Sequence, residues 1–142
     1  MRPRPTLRIV FYAVIALLML AELFLSNIGS LLNLEATAKM LGLSPDAERG
    51  RLFILIVFDA LAGIGGLLAI WSLLRPSTAE PGRVGAWMVV AGLLLYGIYQ
   101  VYSALFVLGP AWQAGILGVG ITYALIGLAA WWIGRPLMAV TR

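Results

Sequence analysis

The chain has no cysteine and no histidine, and charged residues make up only 11% of its 142 positions. Without a thiol or an imidazole there is no thiolate nucleophile, no disulfide relay and no His-type metal site. Iron–sulfur clusters are disfavoured too, as is haem bound through the usual imidazole. The net charge of +4 is small and tied to the ends of apolar runs, which argues against a nucleic-acid partner. What is abundant is apolar surface. Hydrophobic residues make up 62% of the chain, and the mean hydropathy is +0.99. Soluble domains run nearer about 45–50% apolar and about 25% charged. This composition excludes a soluble enzyme, a secreted disulfide scaffold and a disordered chain, and leaves an integral membrane protein.

A bilayer core of roughly 30 Å takes about 20 apolar residues of helix. Four runs qualify: Ile9–Ile28, Leu52–Leu74, Val84–Leu108 and Ala111–Ile133. They predict an all-α, single-domain four-helix membrane bundle over residues 1–142. Arg2, Arg4, Arg8, Arg75, Arg83, Arg135 and Arg142 flank one side, against Lys39, Arg49 and Arg51 on the other. The positive-inside rule then places both termini in the cytoplasm, as for a protein of a bacterial cytoplasmic membrane. Trp71, Trp87, Trp131 and Trp132 fall near the cytoplasmic ends and Trp112 near the outer end, at headgroup depth. The first run outlasts a signal-peptide core and carries Glu22, so it reads as an uncleaved anchor.

Between the first two spans, Leu34, Ala38 and Leu41 recur at helical spacing against Glu35, Thr37 and Lys39. That pattern predicts a short amphipathic helix at the outer interface, ended by Gly42. Ser44-Pro45-Asp46 resembles a cap, an N1 proline and a first-turn acid, so the second helix is expected to start near Pro45. Arg75–Arg83 holds Pro76, Pro81 and Gly82 and reads as a turn, as does Gly109-Pro110.

Glu22 and Asp59 are acids inside predicted spans, where they are costly and often functional. At 1.5 Å per residue both lie roughly 9–11 Å below the outer boundary, and Gln100 lies about 12 Å deep. Tyr96, Tyr99, Gln100 and Ser103 share a helix face, Ser26 follows Glu22 at i+4, and Thr122 and Tyr123 lie somewhat deeper. These spacings predict an inward polar cluster of Glu22, Asp59, Gln100, Tyr96 and Ser103. Two carboxylates so close cannot both stay ionised in a low dielectric. A shared proton, a bound cation, water, a partner's cation, or Arg49 or Arg51 folding inward would each satisfy them. Hydrogen bonds that merely fix the packing would do so equally. Gly63, Gly66, Gly115 and Gly118 are read as helix-packing glycines, since no phosphate-loop pattern surrounds them.

The layout of a short first span, Leu41-Gly42-Leu43, the run Asp59-Ala60-Leu61-Ala62-Gly63-Ile64-Gly65-Gly66 and the ending Leu74-Arg75-Pro76 resembles the small four-helix DoxX-like membrane proteins and their relatives. The resemblance implies the same fold and a membrane-associated role, sometimes as an accessory subunit. Taken together, the residues point to a non-enzymatic accessory subunit or a module that binds lipid or another hydrophobic ligand. The alternative is a small oligomeric proton- or cation-coupled transporter or channel using Glu22 and Asp59. A membrane enzyme acting on lipid or quinone, with Glu22 or Asp59 as general acid–base, has no His, Cys or phosphate-binding motif to support it. No cofactor is expected, with lipid or quinone left open. The expected partners are membrane lipids, a second copy of the chain or a larger membrane complex.

Overall fold

The computed structural model describes residues 5–75 and 79–139, and among them there is helix and turn but no strand. Arg2, Arg4, Pro76 and Arg142, used above for orientation and for a turn, lie outside the described residues. The order is α1 (Pro5–Ala21), a π-helical segment (Glu22–Ile28), α2 (Gly29–Leu32), α3 (Leu34–Leu41), α4 (Pro45–Leu74), α5 (Ala79–Phe106) and α6 (Pro110–Met138). Four helices are long and apolar enough to cross a membrane: Pro5–Leu32, Pro45–Leu74, Glu80–Phe106 and Pro110–Met138.

Each of the four long helices starts ahead of its apolar run, while α5 ends at Phe106 rather than Leu108, so local chemistry rather than hydropathy sets the ends. Ser44 is extended, with ψ 151°, and its Oγ accepts a hydrogen bond from the Ala47 N–H at 3.2 Å. Pro45 then fills a position whose missing N–H costs nothing, and Asp46 and Glu48 complement the positive end of the helix dipole. The helix therefore starts seven residues before the apolar run, and it carries Glu48 and Arg51 with it. At α5 the predicted turn shrinks, because Pro81 and Gly82 lie in the first helical turn, where proline is tolerated. α3 ends at Gly42, whose φ of 73° admits the bonds Gly42 N–H to Lys39 O and Leu43 N–H to Ala38 O.

α4 packs between α1 and α5, and α5 between α4 and α6. Neighbours run antiparallel: Gly63 faces Leu20 and Gly66 faces Ala16, while Gly65 faces Gly85 and Gly92 faces Ala62. α6 closes the bundle onto α1, where the Tyr12 hydroxyl lies over Gly134. Between helices in lipid the attraction comes from close packing rather than from water exclusion, so small residues set the approach. A Cβ added at Gly85 would sit 2.5 Å from Gly65 O, and one at Gly97 would sit 2.6 Å from Gly120 O. Gly63 and Gly66 lie at helix contacts, against Leu20 and against Ala16 with Tyr12 O. Gly115 and Gly118 do not: a Cβ at either meets nothing of this chain within 4 Å, because both point outward. Gly97, Gly120 and Gly127 bring α5 and α6 together instead.

The interior divides along its length. Tyr12, Met19, Ala62, Val89 and Leu93 form an apolar core. The half nearer α3, the loop end, holds the polar side chains. α3 is pinned there by Trp112, whose Nε1–H donates to Met40 O at 3.0 Å. Large apolar side chains such as Leu17, Leu25 and Phe106 cover the outside of the bundle.

Candidate functional site

The site begins with a change of helical pitch. In an α-helix the partner of Glu22 on its own face is Ser26, but the chain from Glu22 to Ile28 is π-helical, with i→i+5 hydrogen bonds. That extra residue per turn brings Asn27 onto the inward face. Asn27 is buried and Ser26 is exposed. Turns of this kind within longer helices recur at functional sites.

Asn27 Nδ2–H donates to Asp59 Oδ2 across the α1–α4 contact. Asp59 is wholly buried, and its other oxygen, Oδ1, has no hydrogen-bond partner. Glu22, half-buried, receives two hydroxyls: Tyr96 at 2.9 Å on Oε1 and Tyr123 at 3.4 Å on Oε2. The two tyrosine rings lie 4.6 Å apart, tilted by 45°. Glu22 and Asp59 are close enough to interact electrostatically, and both act on Tyr96 and Tyr123.

From Tyr96 a chain of hydrogen bonds runs toward the loop end. Gln100, one turn along α5, donates through Nε2 to the Tyr96 hydroxyl at 3.2 Å. Its Oε1 accepts from Arg51 at 3.5 Å, the long limit for such a bond. Arg51 grips Glu48 with two parallel bonds, Nε to Oε2 at 2.7 Å and a terminal nitrogen to Oε1 at 2.9 Å. Both are buried, Glu48 completely. Two-pronged pairing of this kind is the strong form of the ion pair.

Of the five predicted site residues, the structure links Glu22, Tyr96 and Gln100 directly and sets Asp59 beside them. Ser103 is wholly buried one turn beyond Gln100 but is not a link in the chain. Thr122 is exposed and returns its hydroxyl to Gly118 O at 2.8 Å within its own helix. Arg49 stays outside, paired with Asp46 at 3.1 Å. Arg51 does fold inward, yet its charge is committed to Glu48 rather than to either span acid. Asn27 and Glu48 escape a reading by spacing. Asn27 is hidden by the change of pitch and Glu48 by the edge of the apolar run. The capping pattern at Ser44 was the signal for Glu48, since it places positions 48 and 51 one turn apart inside the helix.

The cluster offers hydrogen-bond donors, two acids and one neutralised ion pair. No group of three or more acidic residues among the described residues is placed to hold a metal ion. A separate feature lies nearer the other end: a groove of about 330 Å³ lined by Leu61, Val84, Met88 and Ala91, with Trp87 and Arg83 also on its wall. Comparison with family models, with curated proteins and with solved structures returns no match to this chain.

Proposed function

We propose that the chain is a small multi-pass protein of a cytoplasmic or plasma membrane, working as a non-enzymatic lipid-binding module. The observation that carries this reading is the groove between α4 and α5. Leu61, Val84, Met88 and Ala91 give it an apolar floor on the bilayer-facing side. Arg83, which has no ion-pair partner among the described residues, supplies a cation, and Trp87 supplies an indole one turn on. From Arg83 to Ala91 the groove follows eight residues of helix, about 12 Å at 1.5 Å per residue. The fitting occupant is an anionic phospholipid, with its phosphate at Arg83 and an acyl chain along the groove. In the orientation expected from the positive-inside rule, that phosphate would lie in the cytoplasmic leaflet, where anionic lipids concentrate.

Native mass spectrometry after extraction from its own membranes tests this reading. The expected spectrum shows a retained anionic lipid that is lost in Arg83→Gln. Co-extraction with larger polypeptides and no retained lipid would replace it with an accessory-subunit role, in line with the DoxX-like resemblance.

A second reading, a small oligomeric proton- or cation-coupled transporter or channel, is favoured by one observation: the buried Asp59 Oδ1 without a partner. Intramembrane acids mark such pathways. Proteoliposomes should then show pH- or cation-dependent flux that Asp59→Asn abolishes. Equal flux in both would remove this reading.

A further inference from the structure

We infer that Asp59 is a proton-binding site, holding its proton on Oδ1 beside the hydrogen-bonded Glu22 carboxyl. The inference uses the polar cluster of the second reading but does not require transport.

The assignment follows from the direction of the hydrogen bonds. A guanidinium only donates and does not lose its proton in proteins. Arg51 is fixed by its two bonds to Glu48, so the Gln100 group facing it must be the carbonyl oxygen. The Gln100 amide then points its N–H at the Tyr96 oxygen. The single hydroxyl hydrogen of Tyr96 is left for Glu22. Every donor in the chain from Arg51 therefore points toward Glu22, and Tyr123 adds another from α6. Glu22 thus receives a hydroxyl on each of its two oxygens.

Asp59 is in the opposite position. It is wholly buried, with Asn27 as its one donor, on Oδ2. Oδ1 has none. The groups that act on it are Glu22 and Asn27 from the π-helical segment, Tyr96 from α5 and Tyr123 from α6. None is a cation. On its own helix, Arg51 lies two turns away and is neutralised by Glu48. An anion on Asp59 would be wholly buried beside another carboxyl, with no cation to balance it. Binding forms one O–H bond at Oδ1 as one O–H bond of a hydronium ion breaks, leaving water. Glu22 is half-buried, whereas Asp59 is wholly buried.

Infrared spectroscopy of the full chain in lipid nanodiscs tests the assignment. At neutral pH the wild type should show the C=O stretch of one protonated carboxyl per chain. That band should shift when aspartate carries a ¹³C side-chain carboxyl and stay when glutamate does. Asp46 is the only other aspartate, and it is exposed and paired with Arg49. The labelling needs no mutation, so folding cannot confound it. Asp59→Asn should then abolish the band and Glu22→Gln retain it. A band that follows the glutamate label, or no band at all, overturns the assignment. A band assigned to Asp59 with no flux in proteoliposomes keeps the proton site and removes the transporter.

Discussion

Replacing Gly97 by alanine tests how the bundle is held together. The new Cβ would sit 2.6 Å from Ala124 N, 2.6 Å from Gly120 O and 3.0 Å from Ala124 Cα. These are backbone atoms of the facing helix, so no side chain can swing aside. To reach ordinary contact α5 and α6 must separate by roughly 1 Å, which forfeits about a quarter to a half of the dispersion energy of the surrounding contacts. Overpacking of this kind costs about 1–3 kcal/mol. Gly→Ala also favours the helix itself by up to about 1 kcal/mol. Gly118→Ala isolates that second effect, because its Cβ meets nothing of this chain. The difference between the two variants is then the packing cost alone, about 2 kcal/mol, near thirtyfold in the folded-to-unfolded ratio. Unfolding from mild detergent with increasing SDS, followed by circular dichroism, measures it. Gly97→Ala as stable as Gly118→Ala would refute the close α5–α6 approach.

Arg51→Leu strands the buried Glu48 and should cost about 3–5 kcal/mol in the same assay, whereas Glu48→Leu with Arg51→Leu should cost far less. Tyr96→Phe removes the 2.9 Å bond to Glu22 and the anchor of Gln100, at about 0.6–1.7 kcal/mol. Tyr123→Phe, which loses only the 3.4 Å bond, should cost less, and the reverse order would contradict the chain. Trp112→Phe releases Met40 O, so amide hydrogen exchange should quicken over Leu34–Leu41 and stay unchanged in α4.

The apolar runs were legible because length and hydropathy are additive over many residues. They located the four long helices but not their ends, which single side chains decide. Ser44 and Pro45 extend α4 back over Glu48 and Arg51, and a window that looks for apolar residues discards that turn. The expected depths of Glu22 and Asp59 came from rise per residue alone. The face did not, since one π-helical turn rotates every later side chain and exchanges Ser26 for Asn27. The glycines illustrate a different limit. Gly66 and Gly118 look alike in sequence, and only the placement of neighbouring helices makes one a contact and leaves the other outside.

The π-helical turn aims Asn27, and not Ser26, at Asp59. The chain has no native cysteine, so paired cysteines can be introduced without background. A short bifunctional thiol reagent should cross-link Asn27→Cys with Asp59→Cys and leave Ser26→Cys with Asp59→Cys unlinked. Efficient linkage of the 26–59 pair with none at 27–59 would mean a regular α-helix through Glu22, and would contradict the account of the polar cluster.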